Sequence, residues 1–442
     1  MGGRQAHVLA VANPAQGHVG PLMKLSLLIA DQGIKSLGNC VIRKWQNTRL
    51  DFVSIPDGVD PQDGREERIQ LSESMQRVMP SHLENLIMKI NSSEDDRMAT
   101  CFIAHATIAW AIDTAKKMGV KMAMFWPSAV AAFAFSLIDA KITDHNGVPL
   151  KSGMIKISPK LPAMSTDEFM WSVPGDPIRR KILFGYISCA KKTLKICNWL
   201  LGSSFYELEP LACDSIPNVL PIGPLLWINR PGKAAASLWP EDSTCLKWLD
   251  KQPSQSVIYV AFGSIAIFSR CQFEEVALGL ELAGRPFLWV VRPNLLDGSV
   301  IKHPDGFLER VPNQGMIIEW APQEQVLAHR AVACFLSHCG WNSTIEGLSS
   351  AVPFLCWPYF ADQFLISSYI CDFWKVGLGL KQEANGNISR HEIKRNLDQL
   401  LSDSGIRENG LQIKEMAGKS LIERESSRKN FEIFIYQLKC MI

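Results

Sequence analysis

The chain has 442 residues, 47% of them hydrophobic and 20% charged, which predicts a globular protein of about two domains. The 46 basic and 44 acidic residues leave a formal net charge of +2. This balance gives no reason to expect nucleic acid or an anionic membrane surface as a partner, so any anion must be held by local groups.

The first predicted elements are a strand over 8–12 and a helix, joined by a loop over 13–21. Asn13, Gly17, Gly20 and Pro21 are turn formers in this loop, whereas His18 is not needed for a turn. The start of the chain lacks the charged segment, apolar stretch and small-residue cleavage site of a secretory signal. A cytoplasmic location is therefore expected.

The longest apolar stretch covers 122–138 and is interrupted at Pro127 and Ser128. Because a membrane-spanning helix needs roughly 20 apolar residues, no membrane span is predicted. A buried strand over 122–126 and a helix over 129–140 explain the stretch better, with Ser128 as a candidate helix cap. The 12 cysteines are scattered without a Cys-x-x-Cys pair, so reduced and mostly buried thiols are expected.

Proline and glycine break the periodicity over 222–242, which predicts a linker between two domains. Beyond it, short β-branched and aromatic runs alternate with segments of helical period, a pattern typical of α/β layers with parallel strands. The strands of this half are predicted at 257–262, 287–291, 316–319, 333–337, 353–357 and 376–380. Helices are predicted over 273–283 and 344–350, and Ser389 and Glu392 form a capping box before another. No Gly-x-Gly-x-x-Gly or Walker loop follows a predicted strand, which disfavours a nicotinamide or ATP site.

The segment 320–363 carries the most chemical information. Its strand over 333–337 leads into a tight turn over 338–342, and a helix is predicted from about Ser343. In open α/β sheets this edge holds ligands, because helix N-termini there present unpaired N–H groups to a phosphate. Ser343 and Glu346 also have the spacing of a capping box, which alone would explain both as helix architecture. Other side chains that a turn does not need gather here, namely Trp320, Gln323, His338, Trp341, Asn342, Asp362 and Gln363.

The segment 320–363 resembles the signature box of the plant family 1 UDP-glycosyltransferases, and the likeness extends through 205–210, 222–224, 245–250 and 260–264. The resemblance implies an α/β protein of the GT-B fold, with two Rossmann-like, doubly wound parallel-sheet domains facing across a cleft. The implied parts are an acceptor-binding domain over 1–225, a linker over 226–242, a UDP-sugar-binding domain over 243–422, and a helix over 423–442 that returns to the first domain.

The implied function is that of a UDP-dependent, inverting hexosyltransferase of plant secondary metabolism that forms glucosides. Its partners would be UDP-glucose and a small lipophilic acceptor with a hydroxyl or carboxyl group, without nucleic acid or metal, and it would act as a monomer. In the implied donor site, Trp320 stacks on uracil, the Ala321 backbone and Gln323 bind base and ribose, and Glu346 binds the ribose hydroxyls. The diphosphate is held by Ser264, His338, Asn342 and Ser343, and the sugar by Asp362 and Gln363. Gly340, Trp341 and Tyr359 complete the site. Within the family, Trp341 and Gln363 favour glucose over glucuronate or galactose.

On the acceptor side, the resemblance makes His18 the general base, since a neutral imidazole can take a hydroxyl proton near neutral pH. The family places an aspartate beside this base, after the strand over 100–104, but here His105 stands at that position. Asp113 lies further along a predicted helix by about 12 Å and is too far away to replace the aspartate directly. His105 can pair with His18 through complementary tautomers but adds no negative charge.

The sequence therefore predicts an enzyme that is weak toward ordinary alcohols and better with acidic phenols or carboxylic acids, or one that has lost transfer. The rival interpretations are a UDP-sugar-binding pseudoenzyme, which His105 favours, and a UDP-sugar epimerase. Candidate residues for the acceptor pocket, each of which could equally be core packing, are Phe125, Trp126, Phe133, Met170, Trp171 and Phe184. The segment 34–49 looks shorter than in the family, which leaves one edge of the first sheet in question.

Overall fold

The computed structural model describes residues 5–13, 15–39, 50–53, 55–59, 68–92, 97–137, 142–156, 163–173, 176–226, 239–296, 301–384 and 386–441. The chain divides into two compact units. Unit 1 comprises Met1–Gly153, Trp171–Leu225 and Ser420–Ile442, and unit 2 comprises Met154–Met170 and Leu226–Lys419. Residues 227–238 of the predicted linker and 138–140 of the predicted helix lie outside the described residues, as does Cys40.

Unit 1 is built on a seven-stranded parallel sheet. Its strands are β1 Gln5–Val11, β2 Lys35–Asn39, β3 Leu50–Phe52, β4 Arg97–His105, β5 Lys121–Trp126, β8 Trp199–Gly202 and β9 Val219–Pro221, in the spatial order β3-β2-β1-β4-β5-β8-β9. The central strands read as near-continuous apolar runs because helices cover both faces of the sheet. The edge that the short segment left in question is present, since β2 pairs with β1 and β3 pairs with β2, while residues 40–49 of that segment lie outside the described residues.

The helices of unit 1 are α1 Gln16–Asp31, α2 Arg68–Asn91, α3 Ala109–Lys117, α4 Val130–Ser136, α5 Pro177–Leu194, α6 Pro210–Ser215 and α15 Ser426–Lys439. α15 packs against the strands at one edge of this sheet. The Trp199 indole on β8 meets the Phe434 ring at 5.4 Å, and Asn430 Nδ2 donates to the Pro221 carbonyl of β9 at 2.9 Å.

The start of α4 differs from the prediction that Ser128 caps it. The N-cap residue is Ala129, and no side chain of the cap residue accepts a hydrogen bond. Instead the buried carboxylate of Glu209 accepts the N–H groups of Val130 and Ala131 at 3.0 and 2.9 Å. A carboxylate from elsewhere in the chain therefore satisfies the first N–H groups of α4, which a local sequence pattern does not reveal.

Unit 2 is built on a six-stranded parallel sheet. Its strands are β10 Val257–Ala261, β11 Phe287–Val290, β12 Gly315–Ile318, β13 Val332–Ser337, β14 Phe354–Cys356 and β15 Gly377–Gly379, in the order β12-β11-β10-β13-β14-β15. A separate antiparallel pair joins β6 Met154–Ile155 to β7 Met164–Ser165. All six strands predicted for the second half of the chain are therefore present.

The α-helices of unit 2 are α7 Thr244–Leu249, α8 Arg270–Ala283, α9 Phe307–Arg310, α10 Gln323–Leu327, α11 Trp341–Ser349, α12 Gln363–Ser368, α13 Arg390–Ser402 and α14 Ser404–Ser420, and a π-helix covers Tyr369–Phe373. The predicted cap of α13 is confirmed in part. Ser389 Oγ accepts the Glu392 N–H, whereas the Glu392 carboxylate accepts the N–H of Lys381 at 3.1 Å. Among the described residues, no helix is long and apolar enough to cross a membrane.

Candidate functional site

The turn between β13 and α11 holds the first group of predicted donor-site residues. His338 follows β13 directly, and Cys339 adopts the left-handed conformation with φ 63°. The Cys339 N–H donates to Ser337 Oγ at 3.1 Å, which fixes the turn. Gly340 follows in an extended conformation and is the N-cap of α11.

α11 begins at Trp341, two residues before the predicted start, and the cap residue provides no side-chain hydrogen bond. A capping-box serine must precede the first helical residue, and Gly340 occupies that place. The interpretation of Ser343 and Glu346 as a capping box is therefore wrong. Both lie inside the helix and are buried, so their side chains serve another purpose.

The imidazole of His338 is enclosed between two glycines. A Cβ added at Gly263 would lie 2.5 Å from His338 Nε2, and one added at Gly340 would lie 2.4 Å from the same atom. Burial and, to a smaller extent, the charge of Arg292 lower the pKa of His338 to about 4, although a hydrogen bond to the Ala261 backbone acts in the opposite direction. His338 is thus neutral at neutral pH.

The loop after β10 carries Ser264 and is held by a buried guanidinium. Arg292 Nε donates to the Gly263 carbonyl at 3.0 Å, and its Nη2 donates to the carbonyl of Ala266. The two carbonyls flank Ser264, which is half-buried. Arg292 therefore fixes the backbone around a residue predicted to bind the diphosphate.

A hydrogen-bonded network joins three predicted residues from two elements. Gln323 at the start of α10 donates through Nε2 to Ser343 Oγ at 2.9 Å and to Glu346 Oε2 at 2.8 Å. The structure thus brings together an amide, a hydroxyl and a buried carboxylate. These groups can bind a hydroxylated ring, because a carboxylate accepts hydrogen bonds from two neighbouring hydroxyls.

Tyr259 is a member of this network that the sequence analysis missed. Its hydroxyl, from the buried strand β10, donates to Gln323 Oε1 at 3.2 Å and so fixes which end of the amide points to Glu346. Burial raises the pKa of Tyr259 well above its usual value, and the Glu346 carboxylate raises it further. The signal in the sequence that could have identified Tyr259 was its single polar group in an otherwise aliphatic strand.

Trp320 and Ala321 lie between β12 and α10. The Trp320 indole is half-buried and lies 5.9 Å from the ring of Trp239, with the planes inclined by 31°. The Asp242 N–H donates to the Trp320 carbonyl at 2.8 Å, which anchors the chain that carries Trp239. Trp239 is 40% exposed and was not among the predicted residues.

Gln363 begins α12 and is buried. Its Oε1 accepts the N–H groups of Tyr359 and Phe360 at 2.8 and 3.1 Å, an arrangement that assigns its Nε2 as the donor toward a ligand. Asp362 is the half-buried N-cap of the same helix, and the Tyr359 side chain is exposed.

Two residues at the start of α11 differ in their exposure. The Trp341 ring is buried and packs toward Trp374 at 6.4 Å, so it belongs to the core beneath the turn. Asn342 is half-buried at the second position of the helix.

In unit 1, His18 and His105 are brought together as predicted. Their Nδ1 atoms lie 3.4 Å apart, and their ring centroids lie 4.1 Å apart. His18 is the third residue of α1 rather than part of a loop, because α1 starts at Gln16. Gly17 lies in the first turn and Pro21 inside the helix as its sixth residue, and the buried Val19 and Leu22 hold this segment in place.

His105 ends β4 and is fully enclosed. Burial lowers its pKa well below the usual value, and the proximity of His18 lowers it further. Asp113 lies exposed on α3; burial raises the pKa of the Cys189 thiol, and the charge of Asp113 adds a smaller increase.

The residues predicted for the acceptor pocket are largely buried and pack against their own neighbours. Trp126 donates its Nε1–H to the Ala129 carbonyl at 2.8 Å and lies 4.8 Å from the Phe133 ring. Trp171 donates to the Gly147 carbonyl at 3.0 Å and meets the Phe184 ring edge-on at 5.4 Å. Phe125 is also buried, and Met170, at the end of the segment Met154–Met170 of unit 2, is half-buried.

The class of protein is that of the GT-B glycosyltransferases, whose solved structures share this fold of two parallel sheets. Os79 from O. sativa in complex with UDP matches 98% of this chain and 100% of its own at a TM-score of 0.85 and 26% identity. A UDP-glucosyltransferase from Polygonum tinctorium capable of glucosylating indoxyl matches 99% of this chain and 100% of its own at a TM-score of 0.83 and 26% identity.

Sequence relatives narrow the class to a family. Residues 234–418 match the profile described as UDP-glucoronosyl and UDP-glucosyl transferase. UDP-glycosyltransferase 83A1 of Arabidopsis thaliana is 37% identical over 99% of this chain and 97% of its own length. The limonoid UDP-glucosyltransferase of Citrus unshiu is 34% identical over 98% of this chain and 90% of its own. The chain belongs to the plant family 1 UDP-glycosyltransferases.

Proposed function

We propose that the chain transfers glucose from UDP-glucose to a hydroxyl or carboxyl oxygen of a small lipophilic acceptor, with inversion at the anomeric carbon. Its family transfers sugars from UDP-sugars to small molecules. The name of the Citrus unshiu relative, a UDP-glucosyltransferase, supports glucose as the sugar.

The observation that carries the donor assignment is the network of Gln323, Ser343 and Glu346. Gln323 Nε2 donates to the Ser343 hydroxyl and to the buried Glu346 carboxylate, so both acceptors lie within 2.9 Å of one nitrogen. A fixed carboxylate is suited to the two hydroxyls of a ribose and unsuited to a phosphate, which it would repel. Trp320, close by in the chain, supplies an aromatic face for uracil.

Neutral donors would hold the diphosphate. His338 is kept neutral by burial and lies at the start of α11, close in the chain to Asn342, while Ser264 is held by the loop that Arg292 fixes. Preorganised donors of this kind stabilise the charge that develops on a departing group. We therefore expect transfer without a divalent cation and equal rates with and without EDTA.

His18 is proposed as the general base of the transfer step. The acceptor O–H gives its proton to a ring nitrogen of His18 while its oxygen forms a bond to the anomeric carbon. The bond from that carbon to the β-phosphate oxygen breaks, and UDP leaves with the electron pair. Attack opposite the leaving group converts the α-linked donor into a β-glycoside.

The test is an assay of purified protein with UDP-glucose, UDP-galactose or UDP-glucuronate against a panel of phenols, terpenoid alcohols and carboxylic acids. We expect glucosides from UDP-glucose and loss of about 10²-fold or more in rate for His18→Ala, the usual contribution of a general base. Equal rates for the parent and His18→Ala would refute the base. Calorimetry with UDP on Trp320→Ala and Glu346→Ala tests the donor site separately, and undiminished affinity would contradict it.

The alternative function, UDP-sugar binding with weak or no transfer, is favoured by His105 in place of a carboxylate. The same assay separates the two functions. If UDP binds, no acceptor is glucosylated by the parent, and His105→Asp gains activity, the natural protein is a binding protein. A cytoplasmic location and a monomeric state stay predictions, for cell fractionation and sedimentation to test.

A further inference from the structure

Trp239 lies beside the proposed uracil site, at the surface of unit 2. It belongs to the segment 239–242, which precedes α7, and its side chain is 40% exposed. An indole exposed to this extent gains only part of the stabilisation that full burial would give. Its ring lies against the indole of Trp320, at a centroid distance of 5.9 Å.

Trp320 lies in a connector that regular secondary structure does not fix. β12 ends at Ile318 and α10 begins at Gln323, and residues 319–322 between them belong to neither a helix nor a strand. The Trp320 indole is only half-buried. A side chain in such a place keeps one orientation only if neighbouring residues hold it.

The segment 239–242 holds both the backbone and the ring of Trp320. The Asp242 N–H donates to the Trp320 carbonyl at 2.8 Å, and the Trp239 ring meets the indole with the planes inclined by 31°. The Asp242 carboxylate accepts the N–H of Thr244 at 2.9 Å, which ties the segment to the start of α7. Because α7 contacts both β12 and α10, the segment is anchored on the two elements that flank Trp320.

The spacing of the two indoles decides what Trp239 can do. Aromatic pairs attract one another at centroid distances of about 4.5–7 Å, and the observed 5.9 Å lies within this range. A base inserted between two rings needs about 3.5 Å to each of them, or about 7 Å in total. Trp239 therefore supports Trp320 and does not form the second wall of a uracil sandwich.

The same segment also lies beside the polar network. Burial is the main cause of the raised pKa of Tyr259, and the charge of Glu241 adds a smaller increase. Glu241 is therefore close enough to act on the hydroxyl that orients Gln323. The segment 239–242 thus borders both parts of the proposed nucleoside site, the aromatic face of Trp320 and the polar network.

We infer that Trp239 is a positioning residue of the donor site, which holds the Trp320 indole in the orientation that stacks on uracil. Because it acts through Trp320, it affects the binding of the nucleoside half of the donor and not of the diphosphate. The inference rests on the proposed function, since its ligand is the proposed UDP-sugar.

Calorimetry with UDP, and with uridine in competition against UDP, tests this role. Trp239→Ala is expected to lower the affinity for UDP about three- to tenfold, the equivalent of one aromatic contact. The loss should be the same factor for uridine, because the base is affected and the phosphates are not. Trp239→Phe retains an aromatic ring and should keep the affinity within about twofold of the parent.

A double-mutant cycle shows whether Trp239 acts through Trp320. If it does, Trp239→Ala added to Trp320→Ala causes no further loss of UDP affinity. The matched control is Tyr206→Ala, which removes an aromatic side chain of unit 1 that is also 40% exposed and should leave the affinity unchanged. Thermal unfolding shows that each variant is folded.

Three results would overturn the inference. They are parent-like UDP affinity for Trp239→Ala, an equal loss with and without Trp320, and a loss that is larger for UDP than for uridine. If the parent itself does not bind UDP, the proposed function fails. If the parent binds UDP and Trp320→Ala weakens that binding while Trp239→Ala does not, only the positioning role fails.

Discussion

The glycines that enclose His338 allow a direct test of the donor site. A Cβ at Gly340 would lie 2.4 Å from His338 Nε2, and a Cβ at Gly263 would lie 2.5 Å from it. Favourable contacts of this kind need at least about 3.5 Å, so either methyl group must displace the imidazole. Gly340→Ala adds no backbone strain, because Gly340 has φ −64° and ψ 142°.

Gly284→Ala is the matched control for backbone strain. Gly284 has φ 64°, close to the 67° of Gly263, but its added Cβ would meet nothing within 4 Å. An alanine in this conformation costs about 1 kcal/mol of stability. Gly284→Ala and Gly263→Ala should share this loss, whereas only Gly263→Ala and Gly340→Ala should disturb His338.

The expected effect on UDP affinity follows from the bond that His338 would make to a phosphate. A hydrogen bond to a charged group contributes about 1.5–3 kcal/mol, which corresponds to a loss of roughly 10- to 150-fold in affinity. Calorimetry with UDP measures the affinity, and thermal unfolding shows that each variant is folded. If Gly263→Ala and Gly340→Ala bind UDP as tightly as Gly284→Ala and the parent, His338 does not contact the diphosphate.

Three further outcomes are expected. Tyr259→Phe removes the hydroxyl that orients Gln323, and calorimetry should show UDP binding weakened roughly three- to tenfold. Added to Gln323→Ala, the same substitution should cause no further loss of affinity. If the two losses are independent, the proposed network is contradicted. Glu209→Gln replaces one of the two carboxylate oxygens that accept the N–H groups at the start of α4 with an NH₂ group. Urea unfolding should show the free energy of unfolding lowered by about 2 kcal/mol. If the variant is as stable as the parent, Glu209 does not cap α4. The pKa of His338 falls on folding, so the unfolded chain binds the extra proton and stability decreases as the pH drops below about 6.5. With a folded pKa of about 4, the loss reaches about 2 kcal/mol at pH 5, and unfolding of His338→Gln should depend correspondingly less on pH.

The strands of unit 2 were predictable because a strand buried in a parallel sheet is a continuous apolar run bounded by turn formers. The prediction of 333–337 differs from the observed Val332–Ser337 by one residue. Helix starts were harder to locate. Glycine and proline over 13–21 favoured a loop, yet α1 begins at Gln16, where the backbone carbonyl of Ala15 accepts the N–H groups of His18 and Val19.

The candidate site was predictable where its residues are close together in the sequence or where the resemblance supplied them. The residues of 320–363 form one motif, and His18 with His105 followed from the resemblance. Tyr259 joins Gln323 from 64 residues away, and Asn13 joins Thr107 from 94 residues away. Such contacts depend on the order and register of the strands, which no local pattern contains.

Burial gives the two site histidines His338 and His105 a common chemical character. Each has its pKa lowered chiefly by removal from water, so neither carries charge near neutral pH. A buried neutral imidazole retains one directed donor and one directed acceptor, and the surrounding backbone decides which is which. For His105 the Thr107 N–H makes Nδ1 the acceptor, and for His338 the two enclosing glycines fix the ring in place. In the proposed reaction neither ring takes up the proton, so His18 is the group left to accept it from the acceptor hydroxyl.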